Sequence, residues 1–262
     1  MSLATTVVGI TQRDLRRILR QPSRLLGGIA RPFVWLLLVA SGYDAIARLD
    51  SGLPYREFVY PGVVAMACLF GGALTAVSTV YDREFGMVRL MLASPAGAWA
   101  VLLGRTVSAT LMGLAQAGVV LLAAPFIVPL TPAGLVAAVA AAAVGSAVSA
   151  VLGLLLAARL RSVENFAGVI NVLLFPLLFL SGALYPSGQL PAPLRAVAAV
   201  NPVTHMVELL RRALGQPVEY RLGTSVVALT GFTLVAFTAA ALAFDPEARL
   251  IGTRHRSGRD RP

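Results

Sequence analysis

The chain contains no lysine and a single cysteine, and only 13% of its 262 residues are charged. Cys68 has no partner within the chain, which excludes an intramolecular disulfide and a cysteine-based metal cluster. There are two histidines, and both His205 and His255 lie outside the long apolar runs. A serine nucleophile needs a base within hydrogen-bond reach. Gly145-Ser146, which suggests a six-span intramembrane serine protease, therefore has no histidine to activate it. There is also no P-loop, no Gly-Lys-Ser/Thr sequence and no acidic metal site, so the chain cannot hydrolyse a nucleotide by itself. No soluble basic domain exists to carry nucleic acid. The net charge of +10 instead reports topology and attraction to anionic headgroups.

Apolar side chains are abundant: they make up 57% of the residues, and mean hydropathy is +0.79, far outside the soluble range. An all-α membrane protein is expected. Residues 58–81, 106–158, 165–194 and 222–244 contain no Asp, Glu, Arg or Lys, and a helix needs roughly 20 apolar residues to cross the hydrocarbon core. The second run is long enough for two crossings and is broken by Pro125, Pro129, Thr131 and Pro132, the chemistry of a reversing turn. Leu25 to Tyr43 supplies one more crossing, with Arg31-Pro32 inside it. Six spans are expected at about 25–43, 58–81, 101–124, 133–157, 166–184 and 222–244. They form one transmembrane domain over residues 1–245, followed by a basic tail at 246–262.

All 22 basic side chains are arginine, a bias that a GC-rich genome also produces. Most of them fall in segments on the side shared by both termini, which the positive-inside rule places in the cytoplasm. No cleavable signal peptide is evident, so the first span is expected to act as the insertion signal. Residues 5–21 precede it. Over 7–20, at 100° per residue, Val7, Val8, Leu15, Ile18 and Leu19 share one arc, opposite Arg13, Arg16, Arg17 and Arg20. Ile10 and Asp14 are the misfits. Such a helix lies in the membrane interface with its arginines toward phosphates, and it also suits the holding of a cytoplasmic partner. Arg31, one or two turns inside a span, is either functional or snorkels to the interface where Pro32 permits a bend.

The fourth span is crowded with small residues: Ala137 to Ala143, Gly145, Ser146, Ala147, Ser149, Ala150 and Gly153. Together with Gly71-Gly72, Gly113 and Ala117, they predict close helix packing in lipid. After the fifth span, Ser181-Gly182 and Tyr185-Pro186 lead into an external region at 185–221. Pro191 and Pro193 break the chain there, and Asn201-Pro202 starts a short helix that stops at Gly215. Val203, Val207, Leu210 and Leu214 give that helix an apolar side. A re-entrant helical hairpin is expected, which is tolerable in the bilayer if other helices cover its backbone. Phe33, Trp35, Phe70, Phe175 and Phe179 are candidates for an aromatic substrate path.

Between the second and third spans, the segment 82–100 carries Asp82-Arg83-Glu84-Phe85-Gly86, Arg89 and Ser94-Pro95, and Gly104-Arg105 follows. This pattern resembles the cytoplasmic loop of the type-2 ATP-binding-cassette exporter permeases, among them drug-resistance and lipo-oligosaccharide exporters. Ser181-Gly182, Tyr185-Pro186, Asn201-Pro202-Val203-Thr204 and Arg211 are similar to that family's pattern between its fifth and sixth spans, so the resemblance covers nearly the whole chain. Where many members place an arginine two residues after the Ser-Pro pair, this chain has Gly97, leaving Arg89 or Arg105 to complete the contact.

The resemblance implies that 82–100 is a coupling helix seated in a groove of a separate ABC ATPase. Glu84, Phe85, Gly86, Arg89, Ser94, Pro95 and Arg105 would lie at the contact. It implies two permease copies, here as a homodimer, above two ATPase subunits that bind ATP and Mg, in a bacterial cytoplasmic membrane. Such a chain is a transport subunit rather than an enzyme. Its sparsely charged spans suit an amphipathic drug, a lipid or a lipid-linked glycan moved outward. An ATPase-independent channel or carrier is the alternative, but it would have no use for the 82–105 signature.

Overall fold

The computed structural model describes residues 3–44, 52–87, 97–160 and 162–257, and among them it is helical throughout, with no strand. Helix α1 (Leu3–Leu19) ends at a turn before Pro22, which opens α2 (Pro22–Val34) at a position where a missing N–H costs nothing. A π-helical stretch, Trp35–Ala40, and a last turn, α3 (Ser41–Asp44), carry that rod onward. The widened backbone begins three residues after Pro32, whose ring removes an intrahelical hydrogen bond. The remaining helices are α4 (Tyr55–Glu84), α5 (Gly97–Leu121), α6 (Pro132–Arg159), α7 (Val163–Phe179), α8 (Ala192–Val200), α9 (Pro202–Ala213) and α10 (Leu222–Ser257).

The centre of the bundle is α4, 30 residues or about 45 Å long. Tyr60, Val64, Ala65, Ala67 and Cys68 on it are all fully buried. Helices α5 and α6 press against it where the sequence is poorest in side chains. A Cβ on Gly71 would lie 2.3 Å from the Gly113 Cα, one on Gly72 would lie 2.7 Å from the Ser149 backbone, and one on Gly153 would meet Ala76 at 2.8 Å. In lipid, where the hydrophobic effect does not drive helices together, such backbone approach is the main source of packing. Among the hydrogen bonds that fasten α4, Tyr60 donates to the Val120 carbonyl at 2.8 Å, and Tyr55 donates to that of Leu184 at 2.9 Å.

Among the described residues, five rods are long and apolar enough to cross a membrane: Leu26–Asp44, Tyr55–Glu84, Trp99–Phe126, Pro132–Arg159 and Leu222–Phe244. Helix α7 has 17 residues and falls short of the length expected for 166–184. It stops at Phe179 because the Ser181 hydroxyl turns back to the Leu178 carbonyl at 2.6 Å and Gly182 takes φ +76°. The turn between α5 and α6 falls at the expected prolines, and Thr131 caps α6 by accepting the Gly134 N–H at 3.0 Å. Helix α10 runs on to Ser257, through much of the segment expected as a tail.

Candidate functional site

Three consecutive side chains at the end of α4 each reach different helices. Asp82, 5% exposed, accepts from Arg105 at 2.5 Å on α5, and from Arg17 at 2.6 Å and Arg13 at 3.1 Å on α1. Arg83 donates to the Ala157 and Ala158 carbonyls at 2.9 and 2.6 Å, closing the C-terminal end of α6, and lies 5.5 Å over the Phe244 ring on α10. Glu84 accepts the Val163 N–H at 3.2 Å, at the N-terminus of α7. Both end contacts have the sign that the helix dipole favours: a cation at the last carbonyls and an anion at the first amides. Asp82, Arg83 and Glu84 thus join the end of α4 to α1, α5, α6, α7 and α10.

Phe85 and Gly86 complete the turn. The helix closes with the Phe85 N–H on the Tyr81 carbonyl and Gly86 at φ +75°, a left-handed position that suits glycine. Phe85 is left 75% exposed, stacked flat on Tyr81 with ring centres 6.3 Å apart. Arg89, Ser94 and Pro95 lie outside the described residues. Arg105 lies deep in the protein, 1% exposed, between Asp82, the Thr79 hydroxyl at 3.2 Å and Asp14 at 3.8 Å.

Asp14 is the residue that the amphipathic pattern could not place. It is 4% exposed and faces α5, where the Ser108 hydroxyl donates to it at 3.2 Å. Ile10, the other misfit, packs on Gly104, whose added Cβ would come within 2.9 Å of it. Thr11 donates to the Gly104 carbonyl at 3.3 Å. Helix α1 therefore meets α5 through Ile10, Thr11 and Asp14, and Ile18 is buried as well, while Val8 and Leu19 remain exposed. Arg13 and Arg17 turn inward to Asp82, whereas Arg16 and Arg20 stay on the surface. An acid out of register on an arginine-rich helix was the visible signal of this pairing.

A second polar cluster occupies the other end of the bundle. Asn201 caps α9 by accepting the Val203 N–H at 2.9 Å and ties it to α7 by donating to the Leu177 carbonyl at 2.7 Å; Pro202 follows at the first helical position. Arg211 is buried, donates to the Gly182 carbonyl at 2.6 Å, and lies 4.2 Å over the Phe58 ring. Ser181 and Gly182 are buried, Tyr185 and Pro186 half-buried. Glu208, which sequence reasoning did not single out, accepts the Glu219 and Tyr220 N–H groups at 2.9 and 3.0 Å. Burial nevertheless raises its carboxyl above the ordinary range, and burial lowers the Arg211 guanidinium. His205 sits between the Ser225 hydroxyl at 3.2 Å and the Ala199 carbonyl at 3.0 Å.

The aromatic residues divide. Trp35, Phe179 and Phe175 form a chain with successive ring centres 6.4 Å apart, on an outward face of α7 and the π-helical stretch. Phe70 packs under Arg31, and Phe33 is half-buried against the core.

The described residues thus form a multi-pass helical bundle whose charges, Arg31 excepted, gather toward its two ends, with a protruding aromatic at one of them. The chain belongs to the ABC-2 type transporter family, whose model matches residues 5–214. It is 29% identical over 198 residues to nodulation protein J of Rhizobium leguminosarum bv. trifolii, covering 74% of this chain and 75% of that one. It is 26% identical over 209 residues to the putative transport permease ycf38 of Cyanophora paradoxa, covering 77% and 71%. The probable multidrug ABC transporter permease YbhR of Escherichia coli K12 is 28% identical over 191 residues, 72% of this chain and 50% of that protein. The chain is thus a membrane subunit of an ABC transporter, and the family implies a partnering ATP-binding subunit.

Proposed function

We propose that this chain is the membrane-spanning half of an ATP-driven exporter that takes its power stroke at the end of α4. The observation that carries this reading is the hub at Asp82, Arg83 and Glu84, which ties six helices together beside the exposed Phe85. A push on Phe85 and on the segment containing Gly86, Arg89, Ser94 and Pro95 would be shared by all six helices. The ATPase, in two copies, binds ATP and Mg. Glu84 works from within, holding α7, and Arg105 positions Asp82. Exposed aromatic rings are efficient anchors for a partner's pocket.

Six crossings fit the bundle better than five. Helix α7 starts beside Glu84 of α4, and just past its end Ala183 meets Gly62 while the Leu184 carbonyl accepts from Tyr55. It therefore runs alongside residues 62–84 of α4, about 33 Å, which matches the hydrocarbon thickness. Both termini then share the cytoplasmic side of a bacterial inner membrane. Helices α8 and α9 form the hairpin that re-enters the outer leaflet, and α1 lies in the inner interface. Two copies pair around a pathway for an amphipathic drug, a lipid or a lipid-linked glycan. The multidrug label of the E. coli relative favours the first.

The test is co-purification with a separate ABC ATPase subunit, followed by transport of a fluorescent amphipath in vesicles. Phe85→Ala removes an exposed ring without touching the hub, so the bundle should keep its melting temperature while transport falls at least tenfold. Transport at the wild-type rate in that variant would refute the coupling role.

A further inference from the structure

Arg31, five residues into the rod Leu26–Asp44, is a basic side chain inside a membrane-crossing rod with no carboxylate partner among the described residues. Its guanidinium carbon lies 4.0 Å from the centre of the Phe70 ring. Phe70 is close to the midpoint of the 30-residue α4, and from it to Asp82 is about 18 Å along the helix. A snorkelling arginine lays its head toward the headgroups. This one lies against a ring halfway through the bundle.

Stacking satisfies one face of the guanidinium and leaves its planar fork of N–H donors open for an acceptor. Trp35, one helical turn beyond Arg31, continues into the chain of Phe179 and Phe175, which are 38% and 42% exposed. Val34, Leu37 and Leu38 are also exposed on the same rod. The result is a cation held on an aromatic platform beside an open apolar face. Intramembrane ionisable groups of this kind mark substrate paths.

We propose that this face is a cargo site and that Arg31 selects amphipaths carrying an oxyanion, such as a phosphate, sulfate or carboxylate group. The oxyanion takes the guanidinium fork, a bidentate geometry that arginine supplies and an ammonium does not. The tail packs on Trp35, Phe175 and Phe179. This inference rests on the exporter reading for its biological meaning but makes a binding claim that stands alone.

The chain has two tryptophans, so Trp99→Phe leaves Trp35 as the sole reporter, one turn from Arg31. In lipid nanodiscs, nitroxide-labelled dodecyl phosphate should quench Trp35 at a concentration at least tenfold below that needed with nitroxide-labelled dodecanol or dodecyltrimethylammonium. Arg31→Gln should erase that gap while leaving quenching by the dodecanol probe unchanged, and Arg31→Lys should keep part of it. Equal quenching by all three probes in the parent protein, or a gap that survives Arg31→Gln, would overturn the proposal. So would a change in subunit number on Arg31→Gln, which would assign Arg31 to a carboxylate of a second copy. If no ATPase subunit associates with the protein, the exporter reading fails, yet selective quenching still decides the site.

Discussion

Arg105 and Gln116 lie three turns apart on α5, and both are 1% exposed, yet burial has opposite consequences for them. Arg105 compensates Asp82 and stands 3.8 Å from Asp14, so its removal leaves buried carboxylates short of a counter-charge. Arg105→Gln should lower unfolding stability by about 3–5 kcal/mol, read as a drop in melting temperature in detergent. Gln116 has no partner for either amide atom among the described residues. Gln116→Met keeps its length and removes an unpaired buried group, so it should stabilise the protein by about 1–3 kcal/mol in the same assay. A loss of stability there would show that the amide is satisfied. From the chain alone, Arg105 reads as a surface contact, because a sequence shows that an arginine borders a span but not which carboxylates close over it. Asp14 was legible only as a misfit, since its partners on α5, Arg105 and Ser108, are 91 and 94 positions away.

At the scale of elements, the helices were readable wherever lipid imposes a length and a charge-free run records it: α4, α5, α6 and the apolar part of α10 sit where the runs predict. The Asn201-Pro202 start and Gly215 stop of α9 were legible too, because caps are local chemistry. What α9 buries was not. Its apolar side accounts for Val203, Val207 and Leu210, but Thr204, His205, Glu208 and Arg211 are buried as well, because α10 and the 216–221 turn close over the polar side. Glu208 gives this packing a pH signature. Its raised carboxyl makes the neutral form the one the fold prefers, so the stability it contributes is fully present below the ordinary value of 4.5 and is lost as pH rises through the raised one. The melting temperature of the wild type should therefore gain on that of Glu208→Gln as pH falls from 7 toward the ordinary carboxylate range. A difference that stays flat, or that shrinks on acidification, would mean that the two backbone N–H groups and Arg211 outweigh burial.

For the whole molecule, the decisive question is whether α7 crosses, because that sets the side on which α10 begins and ends. Charge-free length alone favoured a full crossing over 166–184, whereas the helix stops at Phe179 after 17 residues, the lower edge of what spans a bilayer. Contacts at its two ends argue that it still crosses: Glu84 and the hub lie at one end, and Gly62 and Tyr55 lie near the other. Cys68 is fully buried, so it is silent to thiol reagents and the native chain serves as background. Single cysteines at Gln12, Glu164 and Val218, all exposed, report α1, the start of α7 and the segment before α10. With a membrane-impermeant maleimide on intact cells, Val218→Cys should label directly, while Gln12→Cys and Glu164→Cys should label only after permeabilisation. Glu164→Cys and Val218→Cys labelling from the same side would mean that α7 turns back within the bilayer. The hub at Asp82 would then lie on the opposite side from Phe244, the last residue of α10's apolar span, which the cation–π contact between Arg83 and Phe244 forbids.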